Sequence, residues 1–303
     1  MAPRTGAAMP NPDVSDSGIP LPIRPGGIAF DLDGTLLDYD GRLDESVARS
    51  VRLIARAGIK VFLVTGRQLS SCRRFWRELE LSTPLATCNG AWVGFPDREP
   101  FLHLRLSPSA REAVLRLEGE YDLYINHYID DRVYTLKDAP EREWYSRRFS
   151  GVEKLPDRDD PILRRLPTKC LAIVPEDERA RFFGIFTAAL RNLAVVTSSN
   201  NRFIEILPLE ADKAVGLRAL AAWGKIPLES FIAVGDAMND LPMLKAAGFS
   251  ISFKSGDPGL ADQVDMLLPP LWGDGIEILA RCVLGLSDSG RFLTSRSRRF
   301  FKK

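Results

Sequence analysis

The strongest apolar runs in this chain are short, and each ends abruptly in a turn or in acids. "GGIAF" runs into "DLDG", and "IKVFLV" runs into "TGR". Continuous runs of this length, bounded by turn residues, predict buried strands of a parallel sheet. Between them, "DESVARSVRLIARAG" opens on acids, carries Val47, Val51, Leu53 and Ile54, and closes on Gly58. Those are the start and stop signals of a helix. A second helix is predicted from Gln68 to Leu79. The alternation returns late in the chain, with "DKAVGLRALAAWG" and "NDLPMLKAAG" as helices and "SFIAVGD", "FSISF" and "VDMLL" as strands. Strand and helix units in this order predict an α/β fold with a Rossmann-like, doubly wound parallel sheet.

Residues 96–208 follow another pattern. "FLHLRL", "DLYINHYIDDRVYTL", "TKCLAIVP" and "LAVVTSSNNRFIEILP" read as strands and hairpins. A helix is predicted to open at "SPSAREAVLRL", with Ser107 as N-cap and Pro108 in its first position. The expected organisation is a core of residues 25–95 and 209–288 with an α+β cap, 96–208, inserted into it. Residues 1–24, rich in proline, are expected to form a disordered arm, and 289–303 a basic tail.

Composition narrows the classes. With 41 basic and 40 acidic side chains the formal net charge is +1, which gives no general attraction to nucleic acid or anionic membrane. No apolar run approaches the ~20 residues of a membrane span, and the start lacks the apolar stretch of a signal peptide. Cys72, Cys88, Cys170 and Cys282 have no C-x-x-C spacing, as suits reduced thiols, so a cytoplasmic protein is expected. His103 and His127 are the only histidines, which argues against a multi-histidine site and for a hard, oxygen-ligated metal.

Four fragments fall where predicted strands end or helices begin: Asp31 and Asp33 in "DLDGT", Thr65 in "VTGR", Lys213 in "ADKAVGL", and Asp236 with Asp240 in "GDAMND". Ligands of open parallel sheets sit at those strand ends. Asp31 and Asp236 suit Mg²⁺, and a carboxylate can also attack phosphorus. Asp33 is placed to move a proton, Thr65 to donate a hydroxyl to a phosphoryl oxygen, and Lys213 to oppose developing negative charge. Glycines beside these groups (Gly34, Gly66, Gly235) allow close backbone approach. The inventory is one for phosphoryl transfer. D-x-D-G-T alone arises by chance in on the order of one in a few hundred such chains. "TGR" and a single lysine say almost nothing alone, so the weight lies in order and context.

"FDLDGTLLD", "VTGR", "DKAVGL" and "VGDAMNDLPML" together resemble the four motifs of the haloacid dehalogenase-like hydrolases, in that family's order. "CNGAW" and the large insertion before the lysine are similar to its Cof-type branch, which carries an α/β cap. The likeness covers roughly residues 25–285. It implies that Asp31 is the nucleophile and Asp33 the general acid and base. Thr65, Gly66 and Lys213 would bind the phosphoryl group. Mg²⁺ would be held by the Asp31 carboxylate, the Asp33 carbonyl and Asp236, with Asp240 and Asn239 supporting them. Two departures stand out: Ala214 follows the lysine where many relatives have glycine, and "FKSG" puts Ser255 where an asparagine is common.

The expected activity is hydrolysis of a small phosphomonoester, a sugar phosphate first, through an aspartyl phosphate. The expected assembly is a monomer or homodimer. A phosphomutase of the same fold, or a phosphometabolite-binding protein without catalysis, are the alternatives. Substrate contacts are sought at Arg67 and Asn89, and in the cap at Arg132, Asn200 and Arg202, with His127 as a further hydroxyl ligand; ordinary turns on a solvated face are the plain alternative for the cap residues. The five tryptophans are assigned to core packing.

Overall fold

The computed structural model describes residues 21, 23–38, 40–269 and 274–285, without the side chains of Ser199 and Asn200. The arm, apart from residues 21, 23 and 24, and the whole tail lie outside the described residues. Seven elements come first: β1 (Gly27–Phe30), α1 (Glu45–Arg56), β2 (Lys60–Leu63), α2 (Leu69–Glu78), β3 (Leu85–Thr87), β4 (Trp92–Gly94) and β5 (Leu102–His103). Next come α3 (Pro108–Glu120), β6 (Tyr124–Ile129), β7 (Arg132–Thr135), α4 (Pro140–Arg148), β8 (Val152–Lys154), β9 (Lys169–Ile173), α5 (Arg179–Ala189), β10 (Val195–Asn200) and β11 (Phe203–Leu207). The chain then adds α6 (Lys213–Gly224), β12 (Phe231–Val234), α7 (Leu241–Ala246), β13 (Phe249–Phe253), β14 (Met266–Leu268) and α8 (Ile276–Leu284).

The predicted parallel sheet is present, in the order β14-β13-β12-β1-β2 with every pairing parallel. Successive strand residues point to opposite faces, so each run feeds two cores. Ile28, Phe30, Leu63 and Val234 pack with α1, α2 and α8, whereas Ala29, Phe62, Val64 and Ala233 pack with α6 and α7. The local signals behave as read. Asp44 caps α1 by accepting from the Ser46 amide at 2.7 Å, and Gly58 leaves the helix at φ +89°. Ser107 accepts from the Ala110 amide at 3.1 Å, with Pro108 opening α3.

Strand order reverses beside β1: the chain builds outward to β2 on one side and through β12, β13 and β14 on the other. Phe30 is in register with Val234, so the residues that follow, Asp31 and Gly235–Asp236, emerge side by side at the carboxyl edge. That is the crevice where doubly wound sheets hold ligands. A bridge from Val64 to Ala86 links this sheet to a small antiparallel one, β3-β4-β5.

Residues 124–207 supply a second sheet, β10-β11-β9-β6-β7-β8. One face carries Ile125, Cys170, Ala172, Ile204 and Ile206 and is covered by α3 and α5. The other carries Tyr124, Tyr128, Leu171, Ile173 and Phe203, with Tyr145 of α4 among them. The β6–β7 hairpin turns on Asp130 and Asp131, at φ +48° and +60°, as two-residue hairpin loops require.

Candidate active site

Asp31 is the first residue beyond β1 and is 4% exposed. Lys213 opens α6, which Asp212 caps by accepting from the Val215 amide at 2.6 Å. The Lys213 ammonium donates to Asp31 Oδ1 at 2.6 Å and also to the Asp240 carboxylate. The other Asp240 oxygen accepts from the Asp236 and Ala237 amides, each at 3.0 Å. Asp240 therefore holds the lysine with one oxygen and shapes the Asp236 loop with the other. Thr35 donates its hydroxyl to Asp236 Oδ1 at 3.1 Å. Gly34, at φ +77°, lies under the same carboxylate: a Cβ there would sit 2.1 Å from Asp236 Oδ2.

The loop after β2 completes the floor. Thr65 is fully buried, and its hydroxyl oxygen accepts from the Arg67 amide at 3.1 Å, leaving the hydroxyl proton to donate. Arg67 forms a two-pronged ion pair with Asp33, with Nε 2.7 Å from Oδ2. Its guanidinium lies near the rings of Phe75 and Phe149, 5.4 and 5.5 Å from their centroids. The Asp33 carboxylate itself is 49% exposed. Asn89, in the left-handed region at φ +53°, accepts from Asn239 Nδ2 at 3.3 Å.

The electrostatics are crowded with negative charge. Burial pushes Asp31 well above the usual carboxylate range; Lys213 opposes this, and Asp240, Asp236 and Asp33 add to it. Asp236 is pushed up to about 7 by burial and then by Asp240. Burial disfavours the Lys213 ammonium, but Asp240 and Asp31 outweigh it and hold the group above the ordinary lysine value. Carboxyl oxygens of Asp31, Asp236 and Asp240 lie within 4.8 Å of one another. A hard divalent cation suits such an oxygen set and would relieve its mutual repulsion. Both Asp240 oxygens are already engaged, so Asp31 and Asp236 are the carboxylates that fit direct ligation.

These residues open into a cleft of about 560 Å³ between the parallel sheet and the inserted one. Asp31, Asp33, Gly66, Arg67, Lys213, Asp236 and Asn239 line it on one side. The opposite wall comes from Trp144, Tyr145, Arg148, Phe149, Lys169, Leu171, Phe203 and Glu205. The sequence reading missed this wall. Lys169, 4% exposed, donates to Glu205 Oε2 and to the Gly66 carbonyl, both at 2.8 Å. Asn89 Nδ2 reaches the same Glu205 oxygen at 3.2 Å.

The cap candidates fare differently. Arg132 is exposed on the outer hairpin and pairs with Glu153, because its strand starts at the turn. His127 alternates with Ile125 and Ile129 onto the helix-covered face, where it bonds Glu118 at 2.9 Å, away from the cleft. Arg202 does not line the cleft; its guanidinium lies 5.7 Å from the Trp144 ring and 3.5 Å from Glu141. The Asn200 side chain lies outside the described residues. Trp144 and Trp223 are 39% and 40% exposed rather than packed in a core, and Trp272 lies outside the described residues. Cys72, Cys88 and Cys170 are buried thiols; burial pushes Cys88 up to about 12. Among the described residues, no helix is long and apolar enough to cross a membrane.

A family profile described as haloacid dehalogenase-like hydrolase matches residues 28–277. An HMP-PP phosphatase of Enterobacter sp. is 30% identical over 244 residues, covering 79% of this chain and 88% of that protein. The 5-amino-6-(5-phospho-D-ribitylamino)uracil phosphatase of Bacillus subtilis is 26% identical over 239 residues, covering 76% and 86%. In fold, the chain is similar to a crystallographically analysed HAD/COF-like hydrolase from Plasmodium vivax, with TM-score 0.78, 18% identity and coverage of 88% and 97%.

Proposed function

The chain belongs to the haloacid dehalogenase-like hydrolases and is a phosphatase of that family; we propose that it hydrolyses a small phosphomonoester through an aspartyl phosphate on Asp31, with Mg²⁺ as cofactor. The observation that carries this reading is one buried contact set at the strand-order reversal: Asp31 at 2.6 Å from the Lys213 ammonium, with Asp236 and Asp240 beside it. Asp31 and Asp236, with the Asp33 main-chain carbonyl, would hold the cation. When bound, it neutralises charge on the phosphoryl oxygens.

In the first half-reaction an Asp31 carboxylate oxygen bonds to phosphorus. The bond from phosphorus to the leaving oxygen breaks, and Asp33 gives that oxygen its proton. In the second, Asp33 takes a proton from water as the water oxygen attacks phosphorus, which frees inorganic phosphate and restores Asp31. In this reading the Thr65 hydroxyl and the Gly66 amide would donate to the phosphoryl oxygens, and Lys213 would oppose their charge through both halves. Asp240 acts through the lysine, and Arg67 aims Asp33.

Arg132, His127 and Arg202, the cap residues expected to reach a substrate's anionic or hydroxyl groups, do not line the cleft. Sugar phosphates therefore enter the proposal only as one group among candidate phosphomonoesters. We place the enzyme in the cytoplasm, in keeping with its reduced thiols. The test is phosphate release from p-nitrophenyl phosphate with and without Mg²⁺. Release is expected to require the metal and to be lost in Asp31→Asn. Unchanged release by Asp31→Asn would overturn the assignment.

A further inference from the structure

The cleft has carboxylates for a floor and rings for a roof. Trp144 and Tyr145 from α4, Phe149 just after it and Phe203 from β11 line the same cavity as Asp31 and Lys213. Trp144 meets Phe149 and Phe203 edge-on, at centroid distances of 6.1 and 6.0 Å. Trp144 as a whole nevertheless stays 39% exposed, with the Arg202 guanidinium 5.7 Å from its ring centroid. Phe149 is itself fixed by the Arg67 guanidinium at 5.5 Å, so the ring cluster is built onto the floor and not merely near it.

The polar groups nearest the rings are engaged within the protein: the Tyr145 hydroxyl meets that of Tyr128 at 2.5 Å, and Arg148 adds a positive charge to the same wall. Lys169 and Glu205 bond each other at 2.8 Å, and their other contacts are the Gly66 carbonyl and Asn89. A polyhydroxylated leaving group would press its hydroxyls against these rings and against a satisfied ion pair, which is unfavourable for groups that bond well in water. A flat conjugated ring meets the opposite situation, since ring pairs gain from edge-to-face and offset stacking beyond the area they cover. A cavity of about 560 Å³ falls within the range of small-molecule sites and leaves room for such a ring.

Resting on the phosphatase reading above, we propose that the leaving group of the substrate carries a flat conjugated ring, seated against Trp144, Phe149 and Phe203 while its phosphate reaches Asp31. Trp144 is the specificity-determining residue in this arrangement. It sets which alcohol is accepted and takes no part in the phosphoryl chemistry.

The test compares three phosphomonoesters with the full chain and Mg²⁺: benzyl phosphate, cyclohexylmethyl phosphate and glucose 6-phosphate. The first two are primary phosphates of similar size that differ in ring flatness. Wild type is expected to favour benzyl phosphate in kcat/KM by about 5- to 50-fold, the scale of a stacked ring. Trp144→Ala should remove most of that ratio, chiefly through KM, and Trp144→Phe should restore most of it. Circular dichroism checks that both variants are folded. The proposal is overturned by a wild type without ring preference, by preference for glucose 6-phosphate, or by a Trp144→Ala loss that is equal for all three. Where wild type releases phosphate from none of the three, p-nitrophenyl phosphate separates the cases: release from it overturns this inference alone, and no release from it overturns the proposed phosphomonoester hydrolysis together with this inference.

Discussion

Replacing Lys169 with methionine tests how the two sheets are joined. The ammonium is buried, 2.8 Å from both Glu205 Oε2 and the carbonyl of Gly66, and 4.8 Å from the Tyr128 ring centroid. Burial disfavours its charge, yet Glu205 outweighs burial and holds the lysine above its ordinary value. Methionine keeps the length and apolar stem but leaves Glu205, 3% exposed, with the Asn89 amide at 3.2 Å. Breaking a buried pair from one side costs about 3–5 kcal/mol, and the remaining amide places this site near the lower figure. At ~2–4 °C per kcal/mol, the melting temperature should fall by about 10 °C. Lys169→Met/Glu205→Gln removes the stranded charge, so its melting temperature should return to within a few degrees of wild type. Activity should separate from stability: the double variant still lacks the 2.8 Å bond that ties the inserted sheet to the Gly66 carbonyl, so its kcat should remain below that of wild type. Thermal denaturation by circular dichroism, alongside phosphate release, reads both. A single variant as stable as wild type, or a double variant no more stable than the single, would refute the reasoning.

Two further outcomes follow from the same contacts. Gly34→Ala places a Cβ 2.1 Å from Asp236 Oδ2 at φ +77°, so it should lower kcat/KM by about 100-fold, the scale of a small misplacement at a reacting centre, while the far-ultraviolet spectrum is kept; near-normal turnover would show that the Asp236 carboxylate need not sit there. In the inserted sheet, burial disfavours the charged form of His127, but Glu118 prevails and raises it to about 10. A folded pKa above the unfolded value of ~6.5 gives stability that is full below that value and is lost as pH rises toward 10. Denaturant midpoints measured across that interval should decline in wild type and decline less in His127→Gln. Equal slopes in the two proteins would remove His127 as the cause.

The core motifs were legible because each is local. An acid directly after an apolar run, followed by glycine and a turn, specifies a strand end whatever the rest of the chain does. "FDLDG" and "AVGDAMND" both land on the carboxyl edge for that reason. Asp240 also fits this account, although its part differs from an ordinary acid in a first helical turn: it bonds two amides and a lysine that lies 27 residues earlier. His127 was misplaced by ignoring the period of two. Ile125, His127 and Ile129 alternate with Tyr124, Asn126 and Tyr128, so one of these sets must face the helices.

The roof was harder to read, because its chemistry exists only after strand pairing. Lys169 heads "KCLAI" and Glu205 sits inside "FIEIL", and each looks like a stray charge in an apolar strand. Pairing of β9 with β11 sets Glu205 opposite Leu171, one step along the same face from Lys169, and the two stray charges become one buried pair. A single charge inside a buried run is costly, so two of opposite sign in two such runs predict that those strands are neighbours. That signal is present in the sequence, in the opposite charges of Lys169 and Glu205 within two apolar runs. Trp144 carried no comparable mark: nothing in "PEREWYSRR" distinguishes an indole that packs inward from one that faces a cleft, because that choice is made by Phe149 and Phe203 from outside the helix.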